Sequence, residues 1–93
     1  MFHVYALWNA RCQKMYIGHT INLDIRLARH NKLLPNKARS YTSKNKGPWI
    51  VIHKEEFSTR DKAIRREKEL KSFKGREFIR KLISHYIESL VLP

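Results

Sequence analysis

The sequence predicts an α+β fold, an α/β sandwich in which a small three-stranded antiparallel sheet is flanked by helices in the order β-β-α-β-α-α. Two runs of bulky, β-favouring residues before residue 20, separated by a short polar break, predict the first half of the sheet. A third run rich in Trp, Ile and Val occupies 49–57, and apolar residues at helical spacing follow it.

Phe2 to Trp8 alternates large residues, Asn9 to Lys14 is polar, and Met15 to Gly18 returns to the first pattern, which together read as a β-hairpin. Thr20 or Asn22 is placed to cap a helix running to about Asn31. Its inward stripe is Leu23, Leu27 and His30 at i, i+4 and i+7, and Arg26 stands one turn before His30. Leu33 to Gly47 has no apolar period, contains Pro35 and several Lys, Asn and Ser residues, and reads as a basic loop. Pro48 opens the third strand, Trp49 to Phe57. Ser58 or Thr59 then caps a second helix that runs through about Phe73. The Lys74-Gly75 step separates it from a final helix, Arg76 to about Leu90, carrying Phe78, Ile79, Leu82, Ile83, Tyr86, Ile87 and Leu90 on its apolar face.

The chain of 93 residues is 42% hydrophobic and 30% charged with 3 Gly and 3 Pro, a composition that excludes disordered, collagenous and low-complexity classes. A single domain spanning 1–93 is expected. Twenty Lys and Arg residues oppose 8 Asp and Glu, a net charge of +12, so the partner to expect is a polyanion, nucleic acid before an anionic membrane or an acidic protein. The charge is also patterned, since Arg26 to Lys54 holds eight basic residues and no acid. A lone Cys12 and five histidines without structural-zinc spacing fit a reducing, cytoplasmic setting. Met1 to Ala10 is too short, and lacks the basic lead, for a signal peptide or a membrane span.

Ala63, Glu67 and Leu70 share one stripe of the second helix, so Glu67 faces inward among apolar neighbours while Glu69 faces away. A carboxylate there is either neutralised by an internal Lys or Arg or holds a metal ion. Tyr5 and Tyr16 stand on adjacent strands of the hairpin, where cross-strand neighbours meet on one face. Taken singly, each of these residues has an ordinary structural explanation: a strand tyrosine, a solvated Arg26 and His30, an edge-of-core ion pair.

Taken together, His3-Val4-Tyr5, Tyr16-Ile17-Gly18, the run Asn22 to Leu27 with His30, and Ala63 to Lys71 resemble the GIY-YIG nuclease superfamily. The match spans nearly the whole chain and is most similar to small standalone bacterial members, which are akin to the N-terminal nuclease domain of the excinuclease C subunit. The resemblance implies that Tyr5 and Tyr16 flank the attacking water, one of them acting as general base. It also implies that Arg26 faces the scissile phosphate, that His30 relays or orients a proton, and that Glu67 binds a divalent ion, Mg²⁺ or Mn²⁺. Gly18 is then read as allowing a tight turn after the second strand. The chain departs from the family pattern at His3, in place of the first Gly, and at His19, where several relatives carry Lys. It also has no Asn after Asn45, where many members have a supporting one.

DNA contact is expected from Arg29, Lys32, Lys37, Arg39, Lys44 and Lys46 around Tyr41, with Arg65, Arg66, Lys68 and Lys71 adding positive charge on the second helix. No base-reading element stands in the sequence, so the expected activity is a structure-selective or weakly specific DNA endonuclease in DNA repair or processing, near the nucleoid, with any further specificity supplied by a protein partner. The alternative is an inactive module that binds branched DNA or structured RNA. A purely structural, ribosome-associated basic protein would explain the net charge and nothing else.

Overall fold

A computed structural model describes residues 1–31 and 48–91. Its elements are β1 (Phe2–Asn9), β2 (Lys14–Thr20), α1 (Leu23–His30), β3 (Ile50–Phe57), α2 (Arg60–Lys71) and α3 (Phe73–Val91). The class and order are those the sequence predicts, and the sheet runs β2-β1-β3 with both pairings antiparallel. The basic loop expected over Leu33–Gly47 lies outside the described residues.

The hairpin closes on Asn9, whose buried side-chain oxygen accepts the backbone N–H groups of Arg11 at 3.0 Å and Cys12 at 3.3 Å. β1 is thereby central, and its run Val4–Leu7 is fully buried because helices cover both faces of the sheet. One face packs Val4, Ala6 and Ile17 against Ala63 and Leu70 of α2 and Ile79 and Ile83 of α3. The opposite face packs Tyr5 and Leu7 with Trp49, and Leu23 and Leu27 of α1 close over them. The heptad-like stripe read in α1 is therefore its buried face, with His30 buried at its end.

Local chemistry decides the boundaries. Asn22, rather than Thr20, caps α1 by accepting the Ile25 N–H, and Thr59, rather than Ser58, caps α2 by accepting the Lys62 N–H. Asn31 pairs with the backbone of Trp49, its amide donating to the carbonyl at 3.0 Å and its oxygen accepting the N–H. This ties the end of α1 to the start of β3.

The sequence reading misplaces the break before α3. The chain turns at Ser72, which is extended (φ −68°, ψ 168°) and whose hydroxyl and N–H both donate to the Glu69 carbonyl. Lys74 and Gly75 lie inside the first turns of α3. A Cβ on Gly75 would stand 2.2 Å from the Glu69 carbonyl oxygen and 2.5 Å from Leu70 Cα. That glycine is thus required by the close approach of two helices rather than by a helix stop. The apolar stripe of α3 is also only half used. Ile79 and Ile83 are buried, whereas Tyr86, Ile87 and Leu90 are exposed.

Candidate active site

Strand register brings the two tyrosines together. Tyr5 pairs with Gly18 and Leu7 with Tyr16, so Tyr5, Tyr16 and Gly18 share one face, with the tyrosine rings 6.1 Å apart. Gly18 lies within β2 with no positive φ, which corrects its reading as a tight-turn residue. A Cβ there would sit 2.9 Å from both the Tyr5 hydroxyl and Tyr16 Cε1. The missing side chain is the space the two rings fill.

Helix α1 lays Arg26 and His30 over this face. The Arg26 Nε–H donates to the Tyr5 hydroxyl at 3.2 Å, and the guanidinium also bonds the Tyr16 hydroxyl. His30 Nε2 lies 2.9 Å from the Tyr5 hydroxyl, and its ring packs 4.7 Å from that of Tyr16. Because Tyr5 accepts from Arg26, its own O–H is left to donate to Nε2, which puts the His30 proton on Nδ1. That Nδ1 is buried with no hydrogen-bond partner among the described residues.

Protonation states follow from this packing. Burial holds the Tyr5 phenol well above the usual range, and the bond from Arg26 opposes the rise only in part. Burial, together with the neighbouring charge of Arg26, pushes His30 down to about 4. Burial acts to lower the pKa of Arg26, but its bonds to Tyr5 and Tyr16 outweigh that effect and keep it charged. At neutral pH the site is a protonated Tyr5, a neutral His30 and a cationic Arg26.

Stability should respond accordingly. A histidine whose folded pKa of about 4 lies below its unfolded value of 6.5 is fully stabilising above 6.5 and loses that contribution as the pH falls toward 4. Lowering the pH from 7 to 5 should therefore cost about 2 kcal/mol through His30 alone. Chemical denaturation at both pH values tests this, since His30→Gln, which cannot titrate there, should show a smaller loss than the native chain.

Glu67 reaches the sheet from the opposite side. On α2 it stands between the buried Ala63 and Leu70, with its side chain 18% exposed at the edge beside β2. The His19 Nδ1–H donates to Oε1 at 2.6 Å and the Lys71 Nζ donates to Oε2 at 3.0 Å. Burial acts to raise this pKa, but the bonds from His19 and Lys71 outweigh it and hold the carboxyl below the usual range. Its charge in turn adds to the forces keeping Tyr5 protonated, so the carboxylate and the tyrosines share one field. Among the described residues no three His, Cys, Asp or Glu side chains converge on one point. A lone ionised carboxylate fits a hard cation of the Mg²⁺ or Mn²⁺ kind, which is completed by water and phosphate oxygens, and does not fit an all-protein cage.

Of the other expected residues, Arg29, Arg65 and Lys68 are exposed. Arg66 is committed elsewhere: its Nε donates to both Glu55 oxygens at 3.0 and 3.1 Å and its Nη1 to Glu69 at 3.0 Å, joining α2 to β3. Lys32, Lys37, Arg39, Tyr41, Lys44 and Lys46 lie outside the described residues. His19 as a partner of Glu67 is absent from the sequence reading. The available signal was strand parity, because His19 shares a face with Ile17 and so faces α2 rather than α1.

Comparison with known families places the chain in a class: residues 1–81 match the GIY-YIG catalytic domain, and the chain belongs to this family of nucleases. Among individual proteins, it is 34% identical over 71 residues to UPF0213 protein SH2523 of Staphylococcus haemolyticus (strain JCSC1435), covering 76% of this chain and 82% of that protein. No solved structure matches. Among the described residues no helix is long and apolar enough to cross a membrane.

Proposed function

We propose that the chain is a divalent-metal-dependent DNA endonuclease, structure-selective or weakly specific, acting in DNA repair or processing in the cytoplasm near the nucleoid. The observation that carries this reading is the Tyr5 hydroxyl, held between a cationic Arg26 and a neutral His30 on the face that also presents Tyr16. Hydrolysis of a phosphodiester needs an in-line water that loses a proton and donors for the charge that develops on phosphorus-bound oxygen.

The two tyrosines divide this work by exposure. Tyr5 is fully buried and cannot meet a water or a phosphate, whereas Tyr16 is only partly buried. Tyr16, as a phenolate beside the Arg26 guanidinium, is accordingly the group that takes the proton of the attacking water. Tyr5 is a positioning residue that fixes Arg26 and, by donating to Nε2, the orientation of His30. Arg26 lies between both hydroxyls and supplies the counter-charge for negative charge formed in the reaction. Glu67 would hold Mg²⁺ or Mn²⁺ with substrate oxygens and water, and such an ion supplies Lewis-acid stabilisation of the leaving oxygen.

Arg29, Arg65 and Lys68, with Lys32, Lys37, Arg39, Lys44 and Lys46 of the basic stretch, give phosphate contacts that carry no sequence information. Arg66 is left out of this set because its guanidinium is held by Glu55 and Glu69. Finer specificity would come from DNA shape or from a protein partner. One observation favours the alternative of an inactive module for branched DNA or structured RNA: both Glu67 oxygens are occupied by side chains of the chain itself. A labelled panel of single-stranded, duplex, nicked, flap and four-way DNA, with RNA, decides between them. Cutting in Mg²⁺ or Mn²⁺ that stops in EDTA is the expected result, and binding without cutting on every substrate supports the inactive module.

A further inference from the structure

A cavity of about 290 Å³ opens at the edge of the sheet, between Met15, Tyr16 and Ile17 of β2 and Lys71 and Arg76 at the junction of α2 and α3. It adjoins the candidate site: Tyr16, between Met15 and Ile17 on the strand, turns its ring to the opposite face among the tyrosine cluster, and Lys71 holds Glu67 Oε2 at 3.0 Å. Its chemistry is two-sided, with apolar side chains on one wall and two cations on the other. Arg76 is fixed there by donating its Nε–H to the Lys71 carbonyl at 2.9 Å, so its two terminal nitrogens are aimed by an anchored side chain.

A polynucleotide whose reacting phosphate lies between Tyr16, Arg26 and Glu67 must place an adjoining nucleotide at one side of that point. We propose that this cavity is the subsite for that nucleotide, with Lys71 and Arg76 holding its phosphate and Met15 and Ile17 forming an apolar wall for its sugar and base. Naming the nucleotide as the neighbour of a cleaved bond rests on the nuclease reading; the binding itself does not. Occupation would draw the Lys71 ammonium from Glu67 toward the phosphate, so the same event that seats the nucleotide releases one carboxylate oxygen.

Thymidine 3′,5′-bisphosphate in EDTA is a suitable probe, followed by methyl NMR of the native chain. The Met15 and Ile17 methyl signals should shift on titration while Ile52, in the packed layer of β3, stays in place. Arg76→Gln and Lys71→Gln should each weaken the probe at least fivefold. Lys62→Gln, a charge removed from the other end of the same helix, should not. On single-stranded DNA, Arg76→Gln should also lower the salt slope of binding by about 0.7. Because Arg76 braces the helix junction, Lys71→Gln provides an independent reading should Arg76→Gln melt early. Unshifted Met15 and Ile17 signals, or native affinity in both variants, overturn the subsite. DNA cleavage in Mg²⁺, assayed in parallel, keeps the two readings apart. Cutting without probe binding overturns the subsite alone, and probe binding at the expected methyls without cutting overturns the nuclease reading alone.

Discussion

Tyr16→Phe is expected to slow DNA cleavage by about 10²–10⁴, the range for removing a positioned general base, with the melting temperature held within about 2 °C of the native value. Tyr16 is only partly buried, and its ring contacts with Tyr5 and His30 survive the substitution. Tyr5→Phe should behave differently. It leaves the Arg26 Nε–H and His30 Nε2 without their shared partner in a buried setting, at a cost of about 1–3 kcal/mol in stability along with the loss of activity. A steady-state cleavage assay paired with thermal unfolding separates the two roles. Equal destabilisation by both variants, or faster cutting by Tyr16→Phe than by Tyr5→Phe, would assign the roles the other way round.

Gly75→Ala is expected to be the most damaging single substitution for the fold. The added carbon would fall 2.2 Å from the Glu69 oxygen, 2.5 Å from Leu70 Cα and 2.6 Å from the Leu70 carbonyl carbon, all of them backbone atoms that no rotamer change can move. Relief requires sliding α3 off α2, which breaks the layer that packs Leu70, Ile79 and Ile83 onto Val4 and Ala6. A loss of about 3 kcal/mol or more is expected, above the usual cost of overpacking a side-chain contact. In a domain of this size that corresponds to a fall of roughly 12 °C or more in the melting temperature. Lys74→Ala, one residue earlier and exposed, is the control and should melt within about 2 °C of the native chain. A Gly75→Ala melt as high as that control would mean the helices are not in contact at this point.

These two cases also show what a sequence makes legible. Period-two and helical-period apolar patterns, with capping residues at Asn22 and Thr59, are local signals, and they lead to the strands and helices within a few residues. The alternation of β1 and β2 likewise puts Tyr5 and Tyr16 on one face, and the stripe of α2 puts Glu67 on the inner side. Gly18 and Gly75 are read wrongly because a glycine that relieves a close approach and a glycine that makes a turn are the same letter; only the packing partner tells them apart. Ser72 ends α2 through a bond to Glu69 that competes with the helix pattern, a contest invisible to periodicity. The His19–Glu67 contact joins residues 48 apart, and no spacing rule reaches across that separation. For Arg66, charge alone pointed outward to phosphate, whereas Glu55 on a neighbouring strand captures it.

The claim that these residues form one metal-dependent hydrolytic site meets its most direct test at Glu67, through Glu67→Gln. Gln keeps the shape of the side chain and an acceptor oxygen but removes the charge that a divalent cation requires. The measurement is the cleavage rate of a labelled DNA substrate by native chain and variant in Mg²⁺ and in EDTA, with affinity for the same DNA taken in EDTA. The expected result is cutting by the native chain in Mg²⁺ only, a loss of about 10² or more in the variant, and DNA affinity within about twofold of native. Cutting by the native chain that is undiminished in EDTA, or a Glu67→Gln variant that cuts at the native rate, would contradict it.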